Sequence, residues 1–405
     1  MALAALAACT SDDQPGVAPT TSVRLTTTTV VERTSDGTLV LGIYLPITGA
    51  GSNLGVPMVT AVEAAVDQIN EAGGVLGREV QIERTDEGAG TGPGPLLEAG
   101  VDAIVGPASS LTALSQLGAA VDAQTGVVVC SPTATTLALD DYPDNSFLFR
   151  TVPSDSLQMA AIARRVERTG AASVAVGYLD DPYGRGLFDA FQAALATSVE
   201  LVTDEPFSGD QEDLSGTAAA LVESEPGVVV VLGDANDGGR LLAALDDSTG
   251  EPPIVIINDS IREARQTIQT LSDDFRTRLI GVAPLARPLG AENTDGYFTA
   301  HATDCVNLIA LATIIADSDA PKSIRSQIAN ASSSGQPCTA FAQCAELLGE
   351  GRLIDYNGNS GSAALSNTTG DPLQARFQFF QFDETGAEVN AQAESIQTRS
   401  LTGSR

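Results

Sequence analysis

Hydroxyl and carboxyl side chains recur in this chain at one kind of place, directly after short apolar runs. Ser109 and Ser110 follow Ala103–Val105 and open a periodic stretch from Leu111 to Ala123, and Thr133 and Thr135 follow Val127–Cys130. Asp234 follows the run Val228–Leu232, and Asp259 follows Ile254–Ile257. Where a strand runs into a helix, free backbone N–H groups and the helix dipole at Ser109-Ser110 favour an anion such as a carboxylate. The hydroxyls and backbone groups of Thr133 and Thr135 can clamp a small polar solute, and the two acids supply charge for a cation. The same residue types also make good N-caps and turns, so position alone leaves both roles open.

Other chemistries find little support. A single histidine, His301, excludes mechanisms and metal sites that need two. It stands beside Tyr297 and Phe298 with no Ser-His-Asp set, and no G-x-S-x-G elbow exists, so no enzyme is expected. The glycines Gly88, Gly90, Gly92 and Gly94 lack the Lys-Ser/Thr of a phosphate loop and read as a shortened surface element. Asp355-Tyr-Asn357-Gly-Asn359 begins like a calcium loop but has Ser360 and Ser366 where Gly and an acid are needed. No metal and no cofactor is expected. The 405 residues carry 21 Lys+Arg against 52 Asp+Glu, and 21 − 52 gives a net charge of −31. That charge repels phosphate backbones, so no nucleic-acid partner is expected. No run reaches the roughly 18 apolar residues that an integral helix needs.

The elements that must position these residues alternate in texture. Short β-branched runs stand at Leu39–Leu45, Glu79–Glu83, Ala103–Val105, Val127–Cys130, Ser173–Val176, Gly227–Leu232, Pro253–Ile257 and Leu279–Val282. Between them lie helical periods such as Val59, Val62, Ala65, Val66 and Ile69, or Met159, Ile162, Ala163 and Val166 behind a capping Ser154. Buried strands alternating with helices predict α/β architecture with parallel sheets covered on both faces. The pattern restarts after Phe149–Pro153 and breaks again near Gly281–Pro284, which predicts two Rossmann-like lobes with several crossings. Ligands of open parallel sheets sit beyond the strand carboxyl ends, so facing lobes place theirs in the cleft.

The ends and the cysteines bear on compartment. Leu6-Ala7-Ala8-Cys9 resembles a bacterial lipobox, which implies acylation of Cys9 and an extracytoplasmic protein anchored to the cell membrane. Residues 10–38 are rich in Thr, Ser, Pro and Asp and read as a disordered tether reaching about 30 Å. Cys338 and Cys344 are close enough to bridge in an exported chain, whereas Cys130 and Cys305 read as buried thiols.

Several motifs in order resemble the leucine/isoleucine/valine-binding protein family, the type I periplasmic-binding-fold receptors of ABC transporters. They are Gly42-Ile-Tyr-Leu-Pro46-Ile-Thr48-Gly49 with Leu54-Gly55, Asp67-Gln-Ile-Asn70-Glu-Ala-Gly73-Gly74, Val105-Gly106-Pro107-Ala108-Ser109-Ser110, Ser131-Pro132-Thr133-Ala134-Thr135, Phe149-Arg150-Thr151 and Asp181-Pro182-Tyr183-Gly184. The resemblance covers roughly Leu39 to Asp383. It implies a receptor for an amino acid, branched-chain by type, delivered to ABC permease subunits, with the chain a monomer. Within it Ser109, Ser110, Thr133 and Thr135 would hold the ligand's carboxylate and amino groups. Tyr183 would close over the ligand, Asp259 would pair its ammonium, and Leu54 would add apolar lining. Asp234 stands where relatives carry an aromatic residue. Lobe 1 is expected at residues 39–151 plus 283–348, lobe 2 at 152–282 plus 349–385, and a flexible tail at 386–405. A sensor on the same fold coupled to a membrane partner other than a permease, or a receptor for an amide, urea or aromatic acid, is the alternative.

Overall fold

A computed structural model of the chain describes residues 33–49, 51–248, 253–285, 296–333, 335–361 and 364–397. Cys9 and most of the expected tether lie outside the described residues. Two open sheets organise the rest. The first contains β1 (Val40–Leu45), β2 (Gln81–Asp86), β3 (Ala103–Val105), β4 (Val128–Ser131) and β5 (Leu148–Arg150), all parallel, in the order β2-β1-β3-β4-β5. The second begins with β6 (Ser173–Leu179), β7 (Glu200–Phe207), β8 (Val228–Leu232), β9 (Ile254–Ile257) and β10 (Leu279–Pro284). A small parallel pair, β11 (Gln336–Cys338) and β12 (Ile354–Tyr356), precedes β13 (Gln374–Phe382) and β14 (Glu388–Gln397), which join β10 in antiparallel fashion. The parallel part of the second sheet runs β7-β6-β8-β9-β10, the same winding as the first.

The apolar runs become central strands because every side chain in them can be buried. All five residues of β8, four valines and a leucine, are enclosed, with helices on both faces. Helix Ser52–Glu71 lays Met58, Val62, Ala65, Val66 and Ile69 on the first sheet. Helix Asp155–Thr169 opens on Ser154, whose hydroxyl accepts from the Ser156 N–H, and closes on Gly170 in the left-handed region. Helix Thr299–Ala316 is long and apolar enough to cross a membrane, yet it lies largely buried in the first lobe's core.

Among the described residues, three chain crossings join the lobes. One passes Arg150–Ser154; the Arg150 N–H donates to Gly370 O of another at 3.0 Å. In the remaining one the Leu285 N–H donates to Arg376 O at 2.8 Å. The return to lobe 2 falls later than expected, because Ile354, Tyr356 and Leu365 pack in the core of lobe 1. Residues 388–397, expected within a tail, form the edge strand β14. At the other end, the Arg33 guanidinium donates to Leu97 O at 2.8 Å, so the last part of the expected tether is packed.

The cysteines require a correction. Cys338 and Cys344 are bridged as expected, but Cys130 and Cys305 are bridged as well, with Cα atoms 5.6 Å apart. The two thiols are 175 residues apart in sequence, and only the packing of helix Thr299–Ala316 against β4 brings them together.

Candidate functional site

In each lobe the strand order reverses at one point, between β1 and β3 and between β6 and β8. Loops leaving the carboxyl ends there form the natural crevice of such a sheet. In lobe 1 the loop after β3 is shaped at Gly106, whose φ of +120° suits glycine and where a Cβ would overlap the Tyr44 carbonyl. The N–H groups of Ala108 and Ser109 that follow are occupied. They donate to the two oxygens of Glu87, at 2.7 and 2.9 Å. Burial raises the Glu87 pKa, while the two amides oppose that shift. An internal carboxylate therefore takes part of the place expected for a ligand anion.

The hydroxyls at this edge divide into two groups. Ser109 is exposed and caps its own short helix, accepting from the Thr112 N–H at 3.2 Å. Thr133 donates to Ala108 O at 2.7 Å, tying the loop after β4 to the loop after β3. Ser110 Oγ accepts from the Thr136 N–H at 3.4 Å. Thr135 is half-buried, and its carbonyl accepts from the Asp155 N–H at 2.8 Å. Beneath them lies fully buried Arg150, which sequence reading treated only as part of a motif. Its guanidinium donates to Asp371 at 2.6 Å, to Asp140 at 2.5 Å and to Thr136 O at 3.1 Å. Arg150 thus fastens the Thr133–Thr136 loop to a crossing.

Lobe 2 presents acids and a phenol. Asp181 caps helix Pro182–Ala194, which sets Tyr183 in the first turn. The Tyr183 hydroxyl lies 2.9 Å from Ser260 Oγ and accepts from Asn258 Nδ2 at 3.2 Å. Burial raises its pKa well above the ordinary value, with Asp155 and Asp259 adding to the shift. Asp259, half-buried after β9, also has a pKa raised by burial, opposed in part by the charge of Arg262. Asp155 opens the helix after the first crossing and is 2% exposed. Burial first, then the Asp259 charge, pushes its pKa up to about 7. Asp155 Oδ2 has no hydrogen-bond partner.

A cavity of about 390 Å³ brings the lobes' residues together. Leu54 and Phe298 line it from lobe 1, and Asp259, Ser260 and Arg262 from lobe 2. Ala283, Pro284 and Tyr297 add apolar wall beside one crossing. Arg262 is held in place, donating to Glu388 of β14 at 2.8 Å and stacking 5.2 Å from the Tyr297 ring centre. Asp234 is not part of this cavity. Its carboxylate accepts from the Asp237 N–H at 2.8 Å and so caps helix Ala235–Ser248. The loop Asn357–Ser360 likewise serves structure, since Asn359 and Ser360 donate to the Asp304 carboxylate rather than forming a cation cage.

Of the residues expected to bind, Leu54 and Asp259 line this cavity, while Ser109, Ser110, Thr133, Thr135, Tyr183 and Asp234 are not among its lining residues. Two α/β lobes of matching winding, joined by three crossings and facing each other with polar strand-end loops, define a hinged two-lobe binding protein. The chain belongs to the periplasmic binding protein family, whose sequence pattern matches residues 38–284.

Among curated proteins it is 26% identical to the chemotactic signal transduction system substrate-binding protein BasB of Halobacterium salinarum, over 82% of this chain and 86% of that one. It is 30% identical to the Leu/Ile/Val-binding protein BraC3 of Rhizobium johnstonii, over 54% and 60%. In fold it is similar to the branched-chain amino acid transporter substrate binding protein LivJ of Streptococcus pneumoniae, solved in complex with isoleucine. That match has a TM-score of 0.62 and 19% identity, and covers 89% of this chain and 99% of the other. The fold is therefore the type I periplasmic-binding arrangement that the motifs resembled.

Proposed function

We propose that this chain is an extracytoplasmic solute receptor of an ABC importer that binds an amino acid, branched-chain by type, between its lobes. One observation carries the reading: Leu54 of lobe 1 and Asp259 of lobe 2 line the same cavity, whose other wall is largely apolar at Ala283, Pro284, Tyr297 and Phe298. An amino acid is a charged head on an apolar body, and such a wall suits both parts. Asp259 pairs the ammonium, Ser110 and Thr135 hold the carboxylate, and Tyr183 closes over the ligand. Ser109, Thr133 and Asp234 act one step back, by holding the loops and helix that present these groups. Ligand shifts the open–closed equilibrium by completing its shell from both lobes, and a permease reads the closed form. The relatives named for leucine, isoleucine and valine support this solute class. The reading includes a lipid anchor on Cys9, a monomeric receptor and no catalysis.

Thermal melts with aliphatic, polar and basic amino acids, urea, short amides and aromatic acids test it. Leucine, isoleucine or valine at a hundred times its dissociation constant should raise Tm by about 3 °C. Asp259→Ala should abolish that rise. If only non-amino-acid compounds shift the melt, the roles given to Ser110, Thr135 and Asp259 fall. A second reading, a sensor coupled to a membrane partner that is not a permease, is favoured by the similarity to the chemotactic BasB protein. Cells lacking the gene decide between them: lost leucine uptake supports transport, and intact uptake with a lost leucine response supports sensing.

A further inference from the structure

The three crossings enclose a second cavity, of about 90 Å³. Thr151 lines it from the first crossing, Leu285 from the second, and Pro372 and Arg376 from the return into β13, while His301 and Ser360 close it from lobe 1. Among the described residues it shares no lining residue with the larger cavity, yet the same elements contribute to both. Pro284 lines the larger cavity and the next residue, Leu285, the smaller one. Phe298 lines the larger, and its ring meets the His301 ring edge-on with 5.3 Å between centres. Arg376 is the one ionised side chain among the described residues of the smaller wall. Unlike Arg150, Arg262 and Arg276, it has no carboxylate partner among the described residues. His301 is 2% exposed, and its Nδ1 has no hydrogen-bond partner. Burial lowers its pKa to about 3, so the ring is neutral near neutral pH. The neighbouring polar groups are committed. Thr151 Oγ1 donates to His301 O at 3.0 Å, the Ser360 N–H donates to Asp304 at 2.9 Å, and Asp371 beside Pro372 is held by Arg150 at 2.6 Å. The wall therefore carries one positive charge in a chain of net charge −31.

We propose that this hinge cavity is an effector site for a small oxyanion, a carboxylate or phosphate, which pairs with Arg376, gives His301 Nδ1 the partner it lacks, and changes the affinity of the solute cavity. A guanidinium matches both kinds of oxyanion through paired N–H donors. A neutral imidazole adds one N–H, whose proton sits on Nδ1 when that nitrogen meets an anion. One water-sized group needs roughly 10–15 Å³, so about 90 Å³ admits an ion the size of acetate or phosphate. Arg376 is exposed and His301 is buried, so the ion enters from the Arg376 side. Lobe closure turns the crossings against one another, and all three contribute to this wall. The cavity therefore has one shape in the open protein and another in the closed, and an ion that fits one better shifts the balance toward it. By reciprocity the solute changes the ion's affinity by the same factor. The site stands on its own wall; only the coupling rests on the receptor reading above.

His301 is the only histidine in the chain, so isotope-labelled histidine gives a single imidazole in magnetic resonance and reports on this cavity. The full chain, free of solute and without a histidine tag, is titrated with acetate and with inorganic phosphate at fixed pH. Sodium gluconate, whose anion is too large to enter, holds the ionic strength constant. The expected result is a saturable shift of the His301 ring nitrogens with at least one of the two ions. Arg376→Gln should weaken that binding by about tenfold or more, and Arg376→Lys, which keeps the charge, by less. Arg376 is exposed, so an unchanged melting curve should show that both variants fold. No shift, or one that grows without saturating and so marks an adventitious ion only, overturns the site. A saturable shift that Arg376→Gln leaves unaltered overturns it as well, since the ion then binds elsewhere. Neither outcome touches the receptor reading, because no solute is present. Calorimetry of L-leucine, or of whichever solute raises the melt, then reads the coupling. Saturating ion should change its dissociation constant by about fivefold or more. Identical constants with and without the ion overturn the effector role. If no solute binds, the receptor reading fails while the His301 titration still decides the site.

Discussion

The two lobes have the same strand winding and opposite electrostatic habits at their binding edges. In lobe 1 the amides of Ala108 and Ser109 are already held by Glu87, Thr133 is bonded to Ala108, and Arg150 ties the next loop to Asp371. That edge is a finished hydrogen-bond network. In lobe 2, by contrast, Asp155 Oδ2 and Gln158 Oε1 are buried without partners, and burial, then the Asp259 charge, raises the cost of ionising Asp155. A satisfied edge is rigid and can pre-orient a ligand; an unsatisfied one gains most when a ligand supplies what is missing. The difference suggests a division of labour, with lobe 1 as the template and lobe 2 as the part whose energy changes on closure.

Breaking the lobe 1 network should have the largest effect. Arg150→Leu leaves Asp140 and Asp371 without their cation and should cost about 3–5 kcal/mol in urea or thermal unfolding. Next in size, Cys130→Ala with Cys305→Ala removes a bridge closing a long loop and should cost about 2–5 kcal/mol. Cys338→Ala with Cys344→Ala opens a loop of only 6 residues and should cost less, so equal losses would argue against the loop-entropy explanation. Glu87→Gln keeps one acceptor for two amides and should cost about 1–2 kcal/mol while leaving the leucine-induced shift in place. If that shift vanished, Glu87 would belong to the ligand's own shell rather than to the template.

The smallest effect concerns pH and sharpens the contrast from the lobe 2 side. Asp155 has a folded pKa raised above its unfolded value, to about 7. The stability it contributes is therefore complete below the unfolded carboxylate range and is lost as pH rises through about 7. Asp102 in lobe 1, also pushed up to about 7 by burial, acts in the same direction. Ligand-free Tm should fall as pH rises from about 6 to about 8, and Asp155→Asn should reduce the slope. A wild-type Tm that is flat across this range would contradict both assignments.

Much of the fold was legible because its central strands are continuous apolar runs. Val228–Leu232 needs burial on both faces, and only a covered parallel sheet provides it. The strands that escaped notice lie at edges or mix polar with apolar residues. β7 reads Glu-Leu-Val-Thr-Asp-Glu-Pro-Phe, with little of it fully buried, and β14 reads as a polar tail until β13 pairs with it. The site was legible where a residue follows its own strand, as Asp259 follows β9. It was not legible where the partner comes from far along the chain: Leu54 and Asp259 line one cavity but share no local pattern. Asp234 and Ser109 show the reverse limit, since a strand-end acid or hydroxyl that caps its own helix looks the same in sequence as one that faces a ligand.

The alternation of apolar runs and helical periods by itself determined two α/β lobes, a charge unsuited to nucleic acid, and strand-end positions for polar groups. Those properties depend on local spacing and composition, which one chain displays directly. Tertiary structure alone decided that Glu87 fills the amides of lobe 1, that Cys130 bridges Cys305, and that Leu54 and Asp259 line one cavity. Each depends on which distant segments share a buried volume, and in a low-dielectric interior it is that company which sets whether a carboxyl is a cap, an internal anion or a binding group.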